Sequence, residues 1–414
     1  MPGRSKALAL MFLLTLVTYL DRVAISATAG VMSTELGLTR TQMGSVGSAF
    51  VLGYVLFEIP GGWFADRFGA RSLLTRIVLW WSAFTALTGA AWNFWSLLAV
   101  RFLFGCGEAG AFPGCAAAIG RWFPSAERGR AQATIMVGSR LGAAFAPPLV
   151  IAMASAMGWR RIYGVLALLG VAWAAVWRWW YRDTPEEHSA VGPEELQLIR
   201  SGRTETSSSH TTLSWWTLAR SRNVWALCFM YSGYTWGLYF YLFWLPTYLF
   251  EGRGVSWDRV GTAAMAPFLV AACANFLGGW SSDRLAKRIP LRWARRGPAV
   301  FGLLLAAVFL AVAALAVDNS IALPALALSF GCSDLILAIC WATCLDIGGD
   351  RAGILSGTMN SFGQIGAVLA PIVIGWIVES TGSWQTPLLI SAGYYVVSAV
   401  AWFAIDAERP LVEA

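Results

Sequence analysis

The sequence predicts an all-α membrane protein, with twelve transmembrane helices in two pseudo-symmetric six-helix halves. Three observations lead there. Hydrophobic residues are 57% of the 414 and charged residues only 13%, too few polar groups to cover the surface of a soluble chain of this length. Apolar segments long enough to cross roughly 30 Å of hydrocarbon recur along the whole chain. The two halves also repeat each other. Gly61 to Arg71 (GGWFADRFGAR) matches Gly278 to Arg288 (GGWSSDRLAKR), and Arg140 to Pro147 (RLGAAFAP) matches Gln364 to Pro371 (QIGAVLAP).

The spans are expected near 7–31, 43–64, 73–92, 94–119, 130–157 and 161–181 in the first half. In the second they are expected near 223–250, 258–281, 298–317, 321–347, 353–378 and 386–406. The first segment imitates a secretory leader, because Arg4 and Lys6 precede an apolar run that reaches Ala27-Thr28-Ala29. Asp21-Arg22 interrupts that run where a cleavable leader is uncharged, so it reads as a membrane helix. The one long polar stretch divides the chain into a first bundle at 1–181, a linker at 182–222 and a second bundle at 223–414. Within the linker, Pro193 is expected to start a short helix. The tract Thr204 to Thr212 reads as a flexible connector.

The formal charge of +7 follows topology. With both termini cytoplasmic, that face collects Arg4, Lys6, Arg67, Arg71, Arg76, Arg121, Arg128, Arg130, most of 178–222 and the cluster from Arg284 to Arg296. The other face holds Arg40, Arg160, Arg161, Arg253 and Arg259, an asymmetry that orients the chain by the positive-inside rule and leaves no case for nucleic acid. The seven cysteines lie in apolar stretches and read as core residues, so neither a metal nor a cofactor is expected.

The run G-x-x-x-D-R-x-G-x-R from Gly62 to Arg71, with its copy in the second half, resembles the loop signature of the major facilitator superfamily. Within it the chain is similar to the anion:cation symporters, a branch of sugar-acid and organic-anion carriers. The residues that carry this likeness are Tyr19 to Arg22, Gly53-Tyr54, Ile59 to Gly62, Arg101 to Ala109, Phe112-Pro113, Trp122 to Pro124 with Glu127-Arg128, Trp244 to Tyr248, Gly357 and Asn360. The resemblance implies that Arg22 binds a substrate carboxylate, Asp21 and Glu108 take up protons, Arg101 organises that network and Asn360 is a polar contact. It also implies a monomer in the bacterial inner membrane that works by alternating access. Tyr234 stands where the vesicular members carry an arginine, which argues against a glutamate-type carrier, and Glu58 is acidic where many relatives have Gln.

By the expected boundaries seven charges lie within spans: Asp21, Arg22, Glu58, Arg101, Glu108, Arg140 and Asp334. Each costs at least about 2.5–3.5 kcal/mol at the bilayer centre unless paired or hydrated, so each is a functional candidate or a structural pair between helices. Asp21 and Arg22 are neighbours and point about 100° apart, so one can face a cavity while the other meets a neighbouring helix. The planar fork of Arg22 suits a carboxylate. Arg101 and Glu108, seven apart, share a helix face at roughly 10 Å along the axis, too far to pair with each other. A carboxyl such as Glu108 is shifted one way by desolvation and the other by an arginine, which suits proton coupling.

Tyr19, Tyr54, Trp236 and Tyr239 are candidate cavity aromatics, with membrane packing as the competing reading. Asn360 and Gln364 suit substrate hydroxyls. Arg140 and Asp334 read as a substrate contact or as a pair between the halves. Asp66, Arg67, Arg71, Asp283 and Arg284 sit at the membrane edge, where ion pairs and helix ends are expected to hold a cytoplasmic gate, and Glu58 is grouped with them.

The expected function is proton-coupled import of a small organic anion, foremost a sugar acid such as a hexuronate, aldonate or aldarate. The partners are then protons and the lipid bilayer. The rivals are an importer of aromatic carboxylates, a proton-linked exporter, a transporter-like sensor and a membrane enzyme. Three buried arginines disfavour an exporter of lipophilic cations, and a sensor would need an additional domain or long tail. Against an enzyme, the only histidines, His188 and His210, lie in the polar linker, and no zincin, nucleophile-elbow or phosphate-loop motif appears.

Overall fold

The computed structural model describes residues 2–201, 220–348 and 352–409. Asp66 is placed as backbone within a helix while its side chain falls outside the description, as does the Thr204 to Thr212 tract. The described residues are helical throughout, with no strand among them. Nine of the described helices are long and apolar enough to cross a membrane. The other three expected spans are also helical. Two are the arms of one stretch broken at Gly69, and the third begins at Arg222 and runs on through two π turns.

The chain folds as two compact units, Met1–Leu38 with Ser45–Ser209, and Thr39–Gly44 with His210–Ala414. The first contains α1 (Gly3–Leu36), most of α2 (Arg40–Gly89), α3 (Phe94–Glu108), α4 (Ala111–Trp122), α5 (Ser125–Met157), α6 (Trp159–Trp180) and the linker helix α7 (Pro193–Ser201). Local chemistry sets the breaks. Gly37, at φ 63°, closes α1 in the left-handed region and donates its N–H to Ser33. Gly69, at φ 76°, divides α2 into arms 40–68 and 70–89, and the Asp183 carboxylate fills the space a side chain there would need. Asn93 and Ser96 form a reciprocal capping box at the start of α3. The linker helix ties back to the first unit, for the Glu195 carboxylate accepts the backbone N–H groups of Gly3 (3.0 Å) and Arg4 (2.9 Å) at the free end of α1.

The second unit contains α8 (Arg222–Tyr239), α9 (Trp257–Ala286), α10 (Leu291–Leu315), α11 (Asn319–Gly348), α12 (Ala352–Thr381) and α13 (Gln385–Ala401). After α8 the chain continues as π turns at Phe240–Trp244 and Tyr248–Gly252, on either side of Leu245–Thr247. Pro246 has no N–H to give the carbonyl one turn back, so the α-helical hydrogen-bond ladder cannot pass it in register.

The internal repeat of the sequence is also a repeat of packing. Gly142 on α5 lets α1 approach so closely that an added Cβ would fall 2.4 Å from the Leu16 carbonyl oxygen. Its counterpart Gly366 on α12 does the same for α8, where the Cβ would fall 1.9 Å from the Ser232 carbonyl oxygen. Membrane helices gain little from expelling lipid, and close backbone approach over small residues is what holds such pairs.

Candidate functional site

In the first unit, α1 and α3 bring four of the expected charges together. Asp21 and Arg22 occupy the middle of α1, while Arg101 and Glu108 lie on one face of α3. Arg22 Nε donates to Glu108 Oε1, and Glu108 is fully buried. The neighbouring Asp21 points elsewhere, as the roughly 100° step per helical residue requires. It is buried, with Glu108 and Arg101 as its charged neighbours and the Thr85 hydroxyl facing it.

Aromatic rings complete the surroundings of Arg22. Its guanidinium carbon lies 4.9 Å from the centroid of the Tyr19 ring, 4.7 Å from that of Tyr54 and 5.4 Å from that of Phe50. Tyr19 in turn meets Phe112 edge-on at 6.5 Å. Arg101 lies 4.2 Å from the Phe104 ring centroid and 5.2 Å from that of Phe50. Such faces offer a desolvated cation electrostatic compensation without neutralising it. Phe50 therefore touches both arginines, although hydropathy marks it only as membrane-facing; its place four residues before Tyr54, on one helix face, was the available signal. Arg140 is also in this unit, on α5, and is buried.

The remaining expected contacts lie in the second unit. Asn360 and Gln364 stand one turn apart on α12, and Tyr239 ends α8. Trp236 of α8 donates to the Ser391 hydroxyl at 2.9 Å and meets the Tyr394 ring at 5.9 Å, so it is part of the packing of α8 against α13. Asp334 is fully buried in the middle of α11. It accepts from the Tyr234 hydroxyl at 2.6 Å and from the Asn275 amide at 3.3 Å, both within its own unit. Asn275 carries no charge and drew no notice in the sequence.

The described residues of the two copies of the repeated loop are held by ring stacking, backbone hydrogen bonds and an ion pair. Among the described residues Arg67 makes no ion pair; it stacks on Trp63 (5.3 Å) and Phe68 (5.8 Å). Arg284 likewise lies over Trp280 at 5.3 Å. At an exposed site a guanidinium stacked on a ring gains about 0.5–1 kcal/mol, comparable to an exposed ion pair. Arg71 donates its backbone N–H to Asp183 (3.1 Å) and its side chain to the Arg178 carbonyl (2.7 Å). Asp283 is held by Arg295 (2.7 Å), which also binds Asp346 at 2.7 Å. The sequence named Asp283 but singled out neither Arg295 nor Asp346, which lie 12 and 63 residues further along the chain. Glu58 lies one helical turn beyond Tyr54, close enough for its charge to act on the phenol.

Known proteins agree with this architecture. The family model of the Major Facilitator Superfamily matches residues 11–371. A probable sulfoacetate transporter of Cupriavidus necator is 37% identical over 406 residues, covering 97% of this chain and 94% of its own. A probable galactarate/D-glucarate transporter of Bacillus subtilis is 31% identical over 417 residues, covering 96% and 90%. Among solved structures, a bacterial homolog of the human lysosomal transporter Spinster superposes with a TM-score of 0.82 at 19% identity, over 97% of this chain and 96% of that one. The Escherichia coli xylose transporter XylE superposes with a TM-score of 0.76 at 13% identity, over 97% and 96%. Family and relatives are transporters, not enzymes. The chain is a multi-pass integral membrane protein of the Major Facilitator Superfamily.

Proposed function

We propose that this protein is a proton-coupled symporter that imports a small organic anion by alternating access. One observation carries the reading: a buried arginine on α1 is paired with a buried carboxyl on α3 inside an aromatic surround. Arg22 cannot offer its fork to a substrate carboxylate and to the Glu108 carboxylate equally well. When Glu108 takes a proton it loses its charge and much of its hold on the guanidinium, and an incoming carboxylate takes its place. When the substrate leaves, the bare Arg22 draws Glu108 back to the ionised form, and the proton is released. Asp21 and Arg101, beside this pair, extend the network.

The substrate class follows from the same groups. Arg22, its side chain 8% exposed, and the buried Arg101 suit carboxylates and other small oxyanions, and Asn360 and Gln364 suit hydroxyl groups. The relatives' substrates, sulfoacetate in one and galactarate or glucarate in the other, are compact anions of this kind and support the reading. We favour a sugar acid, with sulfoacetate as the second candidate because the relative named for it shares 37% of aligned residues. The surplus of Lys and Arg on one face supports cytoplasmic termini, and a monomer in a bacterial inner membrane is part of the same proposal.

The test uses proteoliposomes loaded with a pH dye and challenged with sulfoacetate, galactarate, galactonate, hexuronates and aromatic acids, protein orientation being checked by protease. Acidification of the lumen by one acid, lost in Glu108→Gln, is the expected result. An acid that exchanges or binds without moving protons would overturn symport and leave a uniporter or exchanger.

A further inference from the structure

On the outer surface of the second unit, one guanidinium is fixed in place between two helices. Arg296, in the second turn of α10, reaches across to the chain leaving α13. Its Nε donates to the Trp402 carbonyl at 3.1 Å, and its Nη2 to the carbonyls of Phe403 at 3.3 Å and Ile405 at 2.8 Å. Its guanidinium carbon lies 4.9 Å from the Trp293 ring centroid and 5.5 Å from that of Phe403. Carbonyls and rings hold a cation without neutralising it. Among the described residues Arg296 makes no ion pair, and its Nη1 has no acceptor.

The surface around Arg296 is ordered as a phospholipid is, from charge to interface to chain. At the end of α10 the exposed Arg292 lies 5.8 Å from the Trp293 ring centroid. Glu408 stands 3.9 Å from Arg292 Nε and accepts its backbone N–H at 3.4 Å, but the two side chains are 47% and 40% exposed, a pairing worth little in water. Two guanidiniums thus face one solvated carboxylate. Trp293, 44% exposed, is the kind of ring that favours the headgroup level. One turn further along α10 comes Gly297, and one turn beyond it Phe301, 63% exposed. Nothing lies within 4 Å of a Cβ added at Gly297, so the stripe is notched beside the fixed guanidinium. On α13 and the turn after it, Val400 and Phe403 are 61% and 56% exposed, and Arg296 joins their stripe to that of α10. Topology alone asks only for positive charge near a helix end. It does not require a guanidinium anchored by three carbonyls within the helix, nor an open glycine beside it.

We propose that this surface binds one anionic phospholipid of the phosphatidylglycerol kind, its phosphate on Arg296 and Arg292 and an acyl chain in the notch at Gly297. The paired guanidiniums select an anionic headgroup, and the exposed apolar residues select a lipid over a free phosphate ion. The site stands apart from substrate binding and proton coupling.

The test places the full-length protein in phosphatidylcholine vesicles with a trace of lipid carrying a photoreactive diazirine tail. The probe is either phosphatidylglycerol or phosphatidylcholine with identical chains, and labelled peptides are mapped by mass spectrometry. The phosphatidylglycerol probe is expected to label the peptides of Phe301 and Val400 at least about fivefold more than the phosphatidylcholine probe, a difference of about 1 kcal/mol. Arg296→Gln is expected to bring that ratio close to one. Should loss of its hydrogen bonds prevent folding, the exposed Arg292→Gln carries the test and is expected to halve the ratio or more. Gly297→Leu, which fills the notch and keeps both arginines, is expected to lower phosphatidylglycerol labelling severalfold. Soluble glycerophosphoglycerol, the headgroup without its tails, is expected not to compete; full competition would make this a phosphate-ion site and overturn the lipid. Equal labelling by the two probes in the unaltered protein would also overturn it. So would an equal ratio on the outer face of α6, which carries exposed Leu168 and Val176 and ends in Arg178 and Trp179, because general charge attraction would then be the cause.

Discussion

Arg22 and Glu108 show what a single side-chain contact decides. Replacing Glu108 with Gln keeps its shape but fixes it in the uncharged form, so acid-driven proton entry is expected to vanish while counterflow of the same acid survives. Loss of both activities would mean that the pair holds the bundle together instead. Arg22→Lys keeps the charge and loses the fork and its stacking on Tyr19 and Tyr54. Substrate affinity, read by binding calorimetry, is expected to fall tenfold or more, about 1.4 kcal/mol. An unchanged affinity would remove Arg22 from the binding site. Much of this site was legible in the sequence, because charges inside apolar spans are costly enough to stand out. Thr85, Phe50 and Asn275 were not legible. Hydroxyl, phenyl and amide groups are ordinary in membrane helices, and only their neighbours give them meaning.

Between helices, backbone distance dominates. Gly142→Ala and Gly366→Ala each place a methyl group against a carbonyl oxygen of the facing helix, at 2.4 and 1.9 Å, so α5 must retreat from α1 and α12 from α8. The expected destabilisation is about 1–3 kcal/mol each, read as a lower thermal midpoint in detergent. Gly164→Ala and Gly393→Ala meet nothing within 4 Å and are expected to leave the midpoint unchanged or raise it slightly. Similar midpoints across all four variants would refute close packing as the reason for the repeated glycines. The RLGAAFAP and QIGAVLAP repeat announced that these positions correspond; it did not say which helix each one faces.

For the whole molecule, charge pairs differ in worth by where they sit. Arg40 and Glu251, both within the second unit and 44% and 33% exposed, meet at 3.0 Å, and Glu251→Gln is expected to cost less than about 1 kcal/mol. Arg295 is 10% exposed and joins α10 to Asp346 on α11 and Asp283 on α9. Removing it leaves Asp346, 19% exposed, without that guanidinium, so Arg295→Gln is expected to cost roughly 1.5–3 kcal/mol in the same thermal assay. A larger effect at Glu251 than at Arg295 would reverse that ranking.

The sequence by itself determined the membrane class, the spans and the duplicated organisation, because hydropathy and span length answer to the bilayer and not to the details of packing. It also marked the buried charges and, through its repeated loop, the family. Only the tertiary structure decided that Arg22 rather than Asp21 turns to Glu108, that Arg67 and Arg284 lie on tryptophan rings, and that Asp21 looks toward Thr85. Helical periodicity fixes the angle between neighbouring side chains but not how each helix is rotated against the next. That rotation is set by contacts between residues far apart in the chain, such as Gly142 against Leu16 and Gly366 against Ser232.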